Sequence, residues 1–162
     1  MKDAFAEQVA ALGDDPEIRA ILEEVCATTG MGFASVARVT EERWIACQVE
    51  DRIEFGLDPG DELNIKQTIC DDIRKCGEAI IIDDVTADPD WKRHPVPMLY
   101  GFKSYASLPL RLGDGSLFGT LCVIDPEPHL LNSPEMIGAL TVFAERLSAI
   151  LSARAEIEAE PS

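Results

Sequence analysis

The sequence predicts an α+β domain: an antiparallel β-sheet with helices packed on one face, the first and last helices lying together. Three observations carry this expectation. Two stretches, around Ile18 to Val25 and from Met136 onward, repeat apolar residues at helical spacing. Between them the pattern changes to the two-residue alternation of strands, most clearly over residues 104–112 and 116–124. The strand-like runs are joined by short turns, which suit antiparallel neighbours, and helices then cover one side of such a sheet.

Asp15-Pro16 reads as an N-cap followed by proline at the first helical position. Ile18, Ile21, Leu22 and Val25 give that helix one apolar face, and Gly30 and Gly32 end it. Residues 33–39 alternate and are rich in strand formers, with 44–50 as the hairpin partner. Residues 51–65 read as a loop punctuated by Gly56, Pro59 and Gly60. A short helix is expected over about 66–76, closed by Gly77, and a buried strand over 79–83. Asp88-Pro89, Pro95 and Pro97 mark a further loop.

In the clearest hairpin, Ala106, Leu108, Leu110 and Leu112 share one face, Asp114-Gly115 makes the turn, and 116–124 returns. Pro109 cannot donate to a ladder, so it predicts an edge or a bulge. Asp125-Pro126-Glu127-Pro128 stops the second strand, and Ser133-Pro134-Glu135 opens the last helix. Its apolar residues Met136, Leu140, Phe143, Leu147 and Ile150 alternate in steps of four and three. That spacing is a core face and also a coiled-coil-like seam, so a homodimer through the terminal helices is expected.

At 162 residues the chain suits one domain with a proper core. The formal net charge of −16 repels phosphate backbones and anionic lipid, so neither nucleic acid nor membrane is an expected partner. No run of about 18 consecutive apolar residues suggests a transmembrane span. No basic start with an apolar run marks a signal peptide, which predicts a cytoplasmic protein. The five cysteines, Cys26, Cys47, Cys70, Cys76 and Cys122, are odd in number and scattered, unlike a disulfide framework. With only His94 and His129 beside them, no zinc or iron–sulfur spacing appears.

Three segments in order resemble the GAF family of sensor domains. They are Phe55-Gly56-Leu57-Asp58-Pro59-Gly60 with 68–74; Ile81-Ile82-Asp83-Asp84-Val85 running on to 90–95; and Tyr100 to Leu110 followed by Phe118-Gly119-Thr120-Leu121-Cys122-Val123-Ile124-Asp125-Pro126. The resemblance spans about Asp15 to Ile157 and is nearest to GAF domains at the front of bacterial histidine kinases and diguanylate cyclases. It implies a GAF/PAS-like fold whose sheet floors a pocket, with loops as its roof. It also accounts for Pro109, since similar hairpins carry a proline there. By analogy, the ligand-lining residues are Trp44, Phe55, Cys70, Ile73, His94, Met98, Tyr100, Phe102, Tyr105 and Ser107.

What the resemblance implies about ligands is open, and no cofactor is obligatory. Bilin-binding relatives attach the chromophore through a cysteine near the position of His94, and residues 91–95 contain none. Attachment without that bond, or through Cys70 or Cys122, is the alternative. Sulfoxide reductases of the same fold have a cysteine where Cys70 stands, but need another in the loop before the hairpin. Residues 83–121 contain only non-cysteine residues, leaving Cys76 to resolve Cys70. A cyclic nucleotide would call on Arg74, Lys103 or Arg111, without the family's signature stretch; haem would call on His94, with His129 read as a loop residue after the sheet. The paired acids Asp83-Asp84 and Asp88 to Asp90 read as a solvated, helix-capping loop. The expectation is therefore a sensory, non-enzymatic domain in signal transduction. A thiol enzyme, a bilin photosensor and a ligandless dimerisation module are the alternatives.

Overall fold

The computed structural model describes residues 3–40, 43–53, 56–63, 79–84, 87 and 102–159. In chain order these form α1 (Ala4–Gly13), α2 (Pro16–Thr29), β1 (Phe33–Val39), β2 (Trp44–Asp51), β3 (Glu62–Leu63), β4 (Ile80–Ile82), β5 (Ser104–Arg111), β6 (Leu117–Asp125) and α3 (Pro134–Ala159). The strands make one sheet in the order β3-β2-β1-β6-β5-β4, antiparallel throughout. The predicted helix over 66–76 lies outside the described residues.

Local signals set most element bounds. Asp15 caps α2 by accepting from the amides of Glu17 (2.7 Å) and Ile18 (3.3 Å). Gly30 ends the helix in the left-handed region at φ 76°, where a side chain would be strained. Ser133 opens α3 by accepting from the Met136 amide. Two elements lie outside the segments bounded from the sequence, although the polar chain ends read as helical in character. Helix α1 precedes the first predicted helix, capped by Asp3. Strand β3 is a two-residue pairing inside the predicted 51–65 loop, joined to β2 through Trp44 and Ile45.

The sheet has two buried faces. The larger core lies between the sheet and all three described helices. It takes Val9 from α1, Ile18, Ile21, Leu22 and Val25 from α2, and Leu140, Ala144, Leu147 and Leu151 from α3. Opposite them stand Ala34 and Val36 of β1, Leu108 and Leu110 of β5, and Leu121 and Val123 of β6. The other, distal face carries Phe33, Ala37, Val39, Trp44, Ala46, Leu57, Ile82, Phe102, Tyr105, Cys122 and Ile124. A strand shows each face every second residue, so these sets interleave along β1, β5 and β6.

In β2 the interleaving slips at a bulge, because Val36 faces Gln48 while Ala37 faces Ala46. Cys47 and Gln48 both turn toward the helices. The Cys47 thiol donates to the Val9 carbonyl (3.2 Å) and the Gln48 amide to the Gly13 carbonyl (2.8 Å). Among the described residues β4 pairs with β5 through Tyr105, Ala106 and Ser107, and Pro109 lies two residues beyond that ladder.

Leu140 and Leu147, both 0% exposed, are committed to the core of their own chain. This corrects their place in the predicted dimer seam: the four-three spacing is the core-facing stripe of α3. Met136, Phe143 and Ile150 pack partly buried at its margin, while Val142 is 53% exposed. By length and composition Pro134–Arg154 could cross a membrane. In the fold its apolar stripe covers the sheet, and Arg146 pairs with Glu24 of α2 (3.0 Å). Arg154 closes the far end of α3, donating to Asp15 (3.2 Å) and to the Ala11 carbonyl (3.0 Å).

Cys26 and Cys47 sit in the helix-side core, where burial pushes their thiols up from 9.0 to about 11 and about 12. An unfolded chain releases these protons near pH 9, whereas the fold retains them. The stability tied to the neutral thiols is thus complete below pH 9 and is lost as pH rises toward 11–12. The melting temperature should fall across that window, with a shallower slope in Cys26→Ala.

Candidate functional site

The distal face is built in rows across the sheet. Phe33 of β1 stands beside Ile124 of β6, then Tyr105 of β5 and Ile82 of β4. The next row is Val49, Ser35, Cys122, Ser107 and Ile80. The third is Ala46, Ala37, Thr120 and Pro109. Beyond it Trp44 faces Val39. The middle rows place small side chains (Ser35, Ala37, Ala46, Ser107, Thr120 and Cys122) in the centre of the face. Large ones, Phe33, Tyr105, Ile124, Val39 and Trp44, bound them at both ends. Phe102 stacks on Tyr105, ring centres 5.3 Å apart. The result is a floor whose middle is low and whose ends are high.

All six small floor residues are buried. Two polar groups on this face have no hydrogen-bond partner among the described residues: the Ser35 hydroxyl and the Trp44 indole nitrogen. Ser35 is 0% and Trp44 3% exposed. A buried polar group left unpaired costs about 1–3 kcal/mol, so two on one face call for an explanation.

Of the residues nominated from the sequence, Trp44, Phe102, Tyr105 and Ser107 meet on this face. Phe55, Cys70, Ile73, His94, Met98 and Tyr100 lie outside the described residues. The sequence nomination missed Ser35, Ala37, Ala46 and Thr120, the centre of the floor. The alternation of β1 could have found the first two, since Ser35 and Ala37 share parity with Phe33 and Val39. Of the cations considered for a phosphate, Arg74 lies outside the described residues, Lys103 is exposed and Arg111 lines a cleft on the helix side. That cleft, of about 440 Å³, runs between β5 and α3 and includes Leu108, Pro109, Thr141 and Glu145.

The far end of β4 is tied to the start of α3. The Asp83 carboxylate accepts from the amides of Leu131 and Asn132, both at 2.8 Å, and its carbonyl accepts from the His129 amide. The predicted acidic loop thus has a bridging acid at Asp83. His129 in turn meets Asp125 at 3.1 Å, and Asp125 also accepts from the Gly32 amide.

The family model described as GAF domain matches residues 15–151, most of the chain. The chain belongs to the GAF family. GAF domains are in general regulatory or sensory modules that bind small molecules. No curated protein is similar enough in sequence to match this one. Among solved structures, it is similar to the GAF domain of a phosphoenolpyruvate-protein phosphotransferase from Acinetobacter (12% identity, TM-score 0.69, covering 94% of each chain). It is similar to residues 122 to 287 of a methyl-accepting chemotaxis protein (16% identity, TM-score 0.69, covering 96% of this chain and 99% of that one). A third likeness is to the type II free methionine-R-sulfoxide reductase from Thermoplasma acidophilum (12% identity, TM-score 0.64, covering 90% of this chain and 94% of that one). At these identities the likenesses establish the GAF fold, which sensory and catalytic proteins share.

Proposed function

We propose that this GAF domain is a cytoplasmic sensor in signal transduction that binds a small molecule over the distal face and passes the bound state to its terminal helices. The observation that carries the reading is the low floor of small residues with two buried, unpartnered polar groups. A ligand seated there would satisfy groups that the described residues leave unsatisfied. The bonds from Asp83 to Leu131 and Asn132 support the second half of the reading, because they join the sheet edge to the residues just before α3. The contacts of Arg146 with Glu24 and of Arg154 with Asp15 then join α3 to α2. Such a path transmits a signal only if the ligand binds two arrangements of it unequally. The outward face of α3 is the surface proposed for a homodimer or for an output domain of the histidine kinase or diguanylate cyclase kind.

Cys122 gives a direct test. It lies in the floor, whereas Cys26 and Cys47 lie in the helix-side core. With methyl methanethiosulfonate at pH 8 and peptide mapping, Cys122 should be modified at least tenfold faster than Cys26 or Cys47. Equal inertness of all three would mean that the floor is solid packing, and the binding reading would fail. In this reading the domain itself is not catalytic. Turnover of free methionine sulfoxide by the purified protein would put the thiol-enzyme alternative in its place.

A further inference from the structure

We infer that the distal-face site takes an uncharged, flat molecule that presents a hydrogen-bond acceptor to the Trp44 indole, an inference resting on the reading of that face as the ligand site. Two kinds of observation carry it. The first is the polarity of the unpartnered groups. The indole nitrogen is a donor only, so its partner must be an acceptor; the Ser35 hydroxyl can donate or accept. The second is charge. Among the described residues of the floor rows, the side chains are apolar or carry a hydroxyl or thiol. Asp51, at the end of the Phe33 row, turns its carboxylate to the amides of Ile53 and Gly56. Arg38 points to the opposite face, where it donates to the carbonyls of Leu117 and Phe118. A carboxylate or phosphate brought onto this floor would be desolvated without a counter-charge from it, which is strongly unfavourable.

Size follows from register. Trp44 faces Val39, four residues along β1 from Ser35, a separation of roughly 13 Å at strand spacing. A molecule of two linked or fused rings spans such a distance. A carbonyl or ring nitrogen at one end meets the indole, and the rings lie over Ala37, Ala46 and Thr120.

The test uses two matched probes with a hydroxyl at the end nearer Ser35, 4′-hydroxybiphenyl-4-carboxamide and 4′-hydroxybiphenyl-4-carboxylate, with ¹⁵N-labelled protein. The chain has two tryptophans, so Trp44→Phe assigns the Trp44 indole signal by its loss. The amide should shift that signal saturably and bind at least tenfold more tightly than the carboxylate. Trp44→Phe and Ser35→Ala should each weaken the amide by roughly three- to tenfold, the worth of one hydrogen bond. Without probe, Ser35→Ala should melt no lower than the parent, because it removes an unpaired group. Carboxylate binding as tight as the amide, unchanged affinity in both variants, or a lower melting point of probe-free Ser35→Ala would each overturn the inference and leave the site standing. If neither probe moves any signal from Ser35, Trp44 or Cys122, and Cys122 also resists thiol modification, the site reading itself is lost and the inference with it.

Discussion

Gly119→Ala is expected to destabilise the domain by about 3 kcal/mol or more, or to prevent folding, at the upper end of what overpacking costs. Gly119 lies in β6, between β1 and β5, opposite Arg38 on one side and Leu110 on the other. A Cβ there would run into the Ala37 carbonyl and crowd the Val39 amide. Both are backbone atoms of the neighbouring central strand, so no rotamer change relieves the clash. Either β1 moves away from β6 or the ladder breaks. Gly138→Ala in α3 is the matched control, since a Cβ at that position meets nothing within 4 Å. Removing a helical glycine should stabilise by up to about 1 kcal/mol. Urea denaturation of the pair reads both effects, and a Gly119→Ala midpoint close to the parent's would contradict the packing described for β1 and β6.

Leu147→Ala should cost about 2–5 kcal/mol, and Leu147→Asp should leave no folded protein. The side chain is 0% exposed and belongs to the core cluster shared by α2, α3 and the sheet. Its truncation opens a cavity that the strands below cannot collapse to fill. Sedimentation of such a variant would report unfolding and say nothing of dimerisation. The outward face calls for another substitution. Val142→Lys, at a position 53% exposed, should leave stability within about 0.5 kcal/mol. If the domain dimerises through that face of α3, the same change should raise the dissociation constant. An unaltered dimer in Val142→Lys would move the interface elsewhere.

The residues that speak for themselves are those with local chemistry. Asp15-Pro16, Gly30, Asp114-Gly115 and Ser133-Pro134 each satisfy or shape their own backbone, so α2, the β5–β6 turn and the start of α3 were legible in the sequence. Strand alternation gave β1 at its observed bounds, Phe33–Val39. Helix α1 was harder, because its hold on the fold is made by Cys47 and Gln48 at a bulge 38 and 35 residues away. The stripe of α3 was legible as apolar, but spacing alone does not say whether it faces its own sheet or a partner. For the site, large aromatics drew notice and the small residues did not. Ser35, Ala37, Ala46 and Thr120 matter for what they leave room for, which only the cross-strand register brings together.

Pro109 has a consequence for behaviour in crowded solution. The described sheet margins are short, two residues of β3 on one side and three of β4 on the other. Among the described residues the β4 ladder on β5 stops at Ser107. An uncovered stretch of strand is a template on which another chain can add a strand, the first step of edge-to-edge aggregation. Pro109 stands past that ladder without an amide hydrogen, so an incoming strand finds a carbonyl but a missing donor. The residue that looked like a defect in a strand pattern thus supplies a position at which β5 offers nothing for an added strand to accept.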